Sequence, residues 1–301
     1  MIAIGEQYPK DNKLDNSGFL AAARLHQSTF RAKELKVECD SYGNYLTVAD
    51  ATNGMNFHND FNIFSEVKKR YPNYSKGIYA NMLRSEHIGF NFFIPMKEDL
   101  DFCKNIFSEI LEDKIESIDR IEVEYAPSPA SKYLNDKTSF DTYVEYTTVD
   151  SIKGIIGIEV KYTERGYSLK KDSKEERDIK NKKSRYYQIS RRSHIYKDGS
   201  IPKLVSDDYR QIWRNHLLGE SILMEDSKKY QRFTSLTIFP KRNSHFVNAS
   251  ANYMGMLKHN DKSFISLTYE QFLLFGKKHS PNDKFKNWLD YLEKRYIIIK
   301  Y

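Results

Sequence analysis

Residues 154–164 read G-I-I-G-I-E-V-K-Y-T-E. Ile155, Ile156, Ile158 and Val160 make this a buried central strand by composition. An acid and a lysine, Glu159 and Lys161, interrupt it. Side chains on a strand alternate between faces. Glu159 and Lys161 therefore share a face with Ile155 and Gly157, while Ile156, Ile158, Val160 and Tyr162 take the other. The second is a core face. The first is small or polar toward its C-terminal end, which predicts an open cleft in which the glycines leave room for an ion and a phosphate. An isolated E-x-K is most often a salt bridge at a sheet edge. In a central apolar strand such a pair needs strong compensation for its desolvation.

The preceding strand offers a partner. Ser139–Thr148, S-F-D-T-Y-V-E-Y-T-T, alternates and is rich in β formers. A hairpin between the two strands places Asp141 across from the Glu159 region. Two carboxylates a few ångströms apart repel unless a cation joins them. A hard divalent ion with oxygen ligands resolves the conflict, and Mg²⁺ is the natural choice.

Outward from this pair, the periodicities give a mixed sheet with helices around it. Asp119–Tyr125 reads as a first strand and Phe233–Phe239, closed by Pro240, as a later one. Phe264–Leu267 is a short last strand. Helices are predicted over Gly18–Leu35, Phe61–Lys69, Lys76–Phe93, Asp99–Glu112, Asp207–Met224, Tyr269–Phe275 and Lys284–Arg295. Tyr42–Phe61 reads as loop. Residues 1–70 are expected to form a helical N-terminal extension, and 71–301 the main domain.

The 301 residues suffice for a sizeable core, and 40% hydrophobic with 14% aromatic content excludes a disordered chain. The formal charge is +7. Residues 165–203 hold 13 Lys/Arg and 5 Asp/Glu, a net +8, so the remainder of the chain sums to −1 (+7 less +8). This segment, an insertion over about 165–205, reads as a large insertion or flexible arm. Its interleaved tyrosines suit base stacking, as its cations suit phosphate contact. Lys182, Lys183, Arg185, Arg191 and Arg192 are the candidates there. Cys39 and Cys103 fit no metal spacing and suggest a reducing compartment. With no signal-length or membrane-spanning apolar run, a cytoplasmic protein without a membrane partner is expected. No phosphate-binding loop, dinucleotide glycine motif or Cys/His zinc cluster is present in the sequence.

Asp141, Glu159 and Lys161, with 17 residues between the acids, resemble the active-site signature of the PD-(D/E)XK nuclease superfamily, the restriction-endonuclease-like fold. The order of helix, three-stranded meander, helix and strand over roughly residues 76–240 is similar as well. The style of S-F-D-T-Y-V-E-Y and G-I-I-G-I-E-V-K-Y resembles a bacterial subgroup of restriction-type endonucleases. Phe140 stands where the superfamily loosely keeps proline.

The resemblance implies an α/β fold and Mg²⁺-dependent DNA endonuclease activity, with Mn²⁺ able to substitute, in restriction or anti-phage defence. Asp141 and Glu159 would be metal ligands, with the Val160 carbonyl as a third oxygen. Lys161 would orient the attacking water. Glu86, in the helix before the meander, matches a further acid that many members aim at the metal; its bland alternative is a solvated helix acid. Gln211 and Arg214, on the helix after the lysine strand, would lie near the scissile phosphate, against a buried cap or a surface salt bridge. Glu145 shares a strand face with Asp141 and would be a supporting acid or pair with a base. His216 reads as structural, and His194, His245 and His259 lack partners at ligand spacing. A homodimer and partner proteins of a defence system are the implied associations. The alternatives are a non-cleaving nucleic-acid-binding or assembly protein on the same fold, and a nuclease for RNA or single-stranded DNA.

Overall fold

The computed structural model describes residues 1–8, 18–72, 79–166, 168–258 and 261–298. A single five-stranded sheet organises them, in the order β1 (Ile115–Tyr125), β2 (Phe140–Thr148), β3 (Lys153–Val160), β4 (Arg232–Phe239), β5 (Phe264–Thr268). The first three strands form an antiparallel meander, and β3–β4–β5 are parallel. Antiparallel neighbours need only tight turns, and the loop between β2 and β3 closes with Thr148 N–H donating to the Ile152 carbonyl across 2.9 Å. Parallel neighbours need crossovers, and a helix lies in each parallel connection.

In chain order the helices are α1 (Phe19–Phe30), α2 (Val48–Thr52), α3 (Ile63–Arg70), α4 (Ser85–Phe93), α5 (Leu100–Leu111), α6 (Lys174–Lys180), α7 (Arg185–Arg192), α8 (Ile201–Leu204), α9 (Arg210–Glu225), α10 (Ser244–Met256), α11 (Tyr269–His279) and α12 (Asp283–Tyr296). They cover both faces of the sheet. Ile156, Ile158, Val160 and Tyr162 pack into one core with residues of α1, α4, α5, α11 and α12. Ile155 faces a second core with residues of α7, α9 and α10. The alternation read along β3 thus separates two hydrophobic layers, as expected for a central strand. Phe19, Ala23 and Phe30 of α1 enter the same core as Trp288 and Tyr296 of α12.

Besides the short helix α2 inside the predicted Tyr42–Phe61 loop, where the Thr47 side chain caps the helix by accepting from the Asp50 N–H, three expectations change. The helix predicted over Lys76–Phe93 is broken, and its first residues, 76–78, lie outside the described residues. Asn81 Oδ1 accepts from the Leu83 N–H at 3.0 Å and from Asn44 Nδ2 at 3.0 Å, which captures the backbone locally and delays α4 until Ser85. Within the basic segment, α6, α7 and α8 replace the predicted flexible arm. Ile179, Tyr186, Ile189 and Leu204 are buried there, and Trp213 Nε1 of α9 donates to Ser190 Oγ at 3.0 Å. The dense charge lies on the outside of amphipathic helices.

The third change concerns the glycines of β3. A Cβ on Gly157 would come within 2.3 Å of the Phe140 ring, and one on Gly154 within 2.3 Å of the Tyr146 ring. Both glycines make room for aromatic rings from β2, and no ion is needed to account for them.

Candidate active site

The ladder between β2 and β3 ends at Thr142 opposite Ile158. One step further, by the same register, Asp141 meets Glu159. There the strands part, and a side chain replaces the ladder bond: Val160 N–H donates to Asp141 Oδ2 across 2.6 Å. Gly89 of α4 faces this point, with the Asp141 Cβ 3.8 Å from where a Cβ on the glycine would stand. A methyl there would make only ordinary contact, so the approach of the helix to the acid does not depend on the glycine.

Glu159 and Lys161 are both buried, and their side chains form an ion pair. Burial disfavours the lysine's charge, but Glu159, Asp141 and Glu164 outweigh it and push Lys161 up to about 12. The ammonium is therefore held in its charged form. Asp141 moves the other way. Desolvation and then the charge of Glu159 raise its carboxyl well above the usual range, with Lys161 offsetting part of the rise. These are the crowded carboxylates that the sequence pattern implied.

Helix α9 holds the acid from the second layer. Gln211 Nε2 donates to Glu159 Oε1 at 2.8 Å, and Asn215 Nδ2 donates to Oε2. The two amides lie four residues apart and so on one helix face. The Lys161 backbone is fixed as well. Its N–H donates to the Ile238 carbonyl at 2.8 Å, and Tyr269 Oη donates to its carbonyl at 2.6 Å. A cleft of about 460 Å³ opens beside the pair, lined among others by Arg84, Glu86, Lys161, Glu164, Arg165 and Gln211.

Glu86 sits in the first turn of α4, where the helix dipole favours an acid, and pairs with Arg84. Burial raises its carboxyl, but the bond from Arg84 and nearby charge bring it below the ordinary value.

Glu124 of β1 is a further acid that the sequence reading passed over. Its backbone adopts a left-handed φ of 59°. Desolvation raises its carboxyl to about 7, with Tyr71 and Arg70 opposing and Glu159 and Glu86 adding to the rise. Asn215 was also missed as a partner of Glu159, although its spacing from Gln211 carries the signal. Nothing in D-R-I-E-V-E-Y marks Glu124, because the turn of its backbone is not visible in the alternation.

The remaining candidates lie elsewhere. Arg214 is engaged by Asp136 at 3.1 Å, Glu175 at 2.7 Å and Thr138 Oγ1 at 2.7 Å, and it does not line the cleft. Arg185 donates to the carbonyls of Lys132 and Tyr133 and to Glu225. Both arginines brace the insertion, and neither lines the cleft. Lys182, Lys183, Arg191 and Arg192 are exposed. Glu145 bonds to Arg120 and Lys229, each at 3.1 Å. His216 is buried between Tyr253 and Ser263, as the structural reading anticipated. His259 lies outside the described residues.

Among the described residues, no group of three or more His, Cys, Asp or Glu side chains is arranged to hold a metal ion. The donor chemistry nevertheless fits a hard dication. Asp141 and Glu159 offer oxygen; burial first and then the charge of Glu159 raise the Asp141 carboxyl, and a dication would relieve the second of these. Both Glu159 oxygens are engaged by protein groups, so a ligand role requires exchange of at least one of those contacts.

No helix among the described residues is long and apolar enough to cross a membrane. No curated protein and no solved structure matches the chain. A family model described as the PD-(D/E)XK nuclease superfamily matches residues 10–298, nearly the whole length. The match agrees with the mixed five-stranded sheet flanked by helices. The chain therefore belongs to the PD-(D/E)XK nuclease superfamily.

Proposed function

We propose that the protein is a divalent-metal-dependent endonuclease that hydrolyses DNA phosphodiester bonds. The observation that carries this reading is the buried Glu159–Lys161 pair beside Asp141, with Lys161 on the wall of a cleft. A buried ion pair adds little net stability compared with apolar residues of similar volume, so its presence in a central strand asks for a chemical reason.

In this reading Asp141 and Glu159, with the Val160 carbonyl, hold the metal. Mg²⁺, with Mn²⁺ as a substitute, supplies Lewis-acid activation of water and neutralises charge on the phosphate. Lys161 remains cationic, orients the attacking water and offsets charge that develops on the phosphate oxygens. Gln211 and Asn215 fix the Glu159 carboxylate, and Glu86 contributes a further acid to the cleft wall. Duplex DNA is the preferred substrate on the strength of the resemblance and of the basic segment, and a role in defence against foreign DNA rests on the resemblance alone.

Crystals soaked in Mn²⁺ or Ca²⁺ test the site. Anomalous density between Asp141 and Glu159 supports it. A fully occupied soak with no density there contradicts it.

A further inference from the structure

A second pocket lies outside the cleft, in the insertion. It measures about 380 Å³, and the residues that line it include Lys182, Arg191, Lys197 and Lys258, together with His194. Asp198 is the one acid among the described residues that line it. Lys197 Nζ donates to the Gly255 carbonyl at 2.7 Å, which leaves the other ammonium protons available. Arg191 lies over the ring of Tyr187 at 6.0 Å. Four exposed cations against the single acid Asp198 give the concavity a net positive charge, which favours entry of an anion.

The pocket shares helix α9 with the candidate site. Tyr187 packs edge-on against Trp213 of α9, with ring centroids 6.0 Å apart. The same indole donates to Ser190, another wall residue. Two positions earlier on α9, Gln211 grips Glu159. One helix therefore sets both the acid of the cleft and the wall of the basic pocket. Its volume and charge suit a phosphate group with part of its sugar or base, and Tyr187 and Tyr196 offer apolar walls.

We propose that this pocket holds a backbone phosphate of the nucleic acid away from the scissile bond and so fixes the substrate's register on the cleft. The inference rests on the nucleic-acid reading above, but its test is separate from cleavage. Binding of a labelled DNA duplex of about 30 base pairs is measured by fluorescence anisotropy in EDTA, where no hydrolysis occurs, over a range of salt. Lys182→Ala/Arg191→Ala removes two exposed pocket cations. Lys183→Ala/Arg192→Ala removes two exposed cations from the same segment that do not line the pocket. Circular dichroism checks that both variants fold.

The pocket pair is expected to lose about tenfold or more in affinity and to flatten the salt slope by about one unit, while the control pair loses less than about threefold. Equal losses in the two variants would show diffuse attraction by the segment and overturn the proposal. So would unchanged duplex affinity together with tight binding of inorganic phosphate or AMP, which would mark a site for a free anion. Metal-dependent cleavage with no difference between the variants sinks this inference and leaves the nuclease reading intact. Pocket-dependent binding with no cleavage does the reverse.

Discussion

Gln211 Nε2 donates to Glu159 Oε1 across 2.8 Å, so the helix after the lysine strand holds the acid that pairs with Lys161. Side chains that orient a metal ligand typically contribute 10–100-fold to activity or metal affinity, and the same range, about 10–100-fold, is expected for Gln211→Ala. Single-turnover cleavage measures it. Asn215→Ala should behave alike, since it grips the other oxygen. Wild-type rates in both variants would remove α9 from the account.

Lys161 neutralises a buried acid, so its loss should affect both stability and chemistry. Taking one partner from a buried pair costs about 3–5 kcal/mol. Lys161→Ala is expected to unfold at clearly lower urea and to lose at least about a hundredfold in rate. Glu159→Gln/Lys161→Met removes both charges and should recover most of the stability with none of the activity. A double variant no more stable than the single one would contradict the pairing.

Gly157→Ala places a methyl 2.3 Å from the Phe140 ring, next to Asp141. Overpacking of this kind costs about 1–3 kcal/mol. Gly89→Ala makes its nearest contact with Asp141 at an ordinary 3.8 Å. It lies in a helix, where alanine is favoured over glycine by about 1 kcal/mol, so this variant should be at least as stable as the wild type. Urea denaturation of the two checks the contrast.

Glu220 of α9 supplies a pH dependence of its own. Burial, then the charge of Asp261, pushes its carboxyl up to about 7. An unfolded glutamate titrates near 4.3, so between about pH 4.3 and 7 the folded chain binds the extra proton. Stability from this group is therefore lost as pH rises through that window and is constant above it. Glu220→Gln should be near neutral at pH 4 and stabilising at pH 8, by up to about 3 kcal/mol. Thermal melts at both pH values test it, and an equal difference at each would contradict the shift.

The centre of the sheet was legible because β3 and β2 obey strict alternation. That alone put Glu159 and Lys161 on one face and Asp141 within reach. The glycines misled, because a missing side chain does not say whether an ion or a neighbouring ring fills the space. Charge density likewise hid α6, α7 and α8, whose buried Ile179, Tyr186, Ile189 and Leu204 are sparse among lysines and arginines. Glu124 could not be found from spacing, since a left-handed backbone at φ 59° redirects it. Arg214 has the right residue type on the right helix, yet its contacts to Asp136 and Glu175 depend on chain segments far away in sequence.

Cleavage of supercoiled plasmid by the purified chain, in Mg²⁺ and in EDTA, tests the central claim most directly. The account predicts nicked or linear product with Mg²⁺, none in EDTA, and none from Asp141→Ala or Lys161→Ala. Equal cleavage by those variants, or an inert wild-type protein at saturating Mg²⁺ and Mn²⁺, would contradict it.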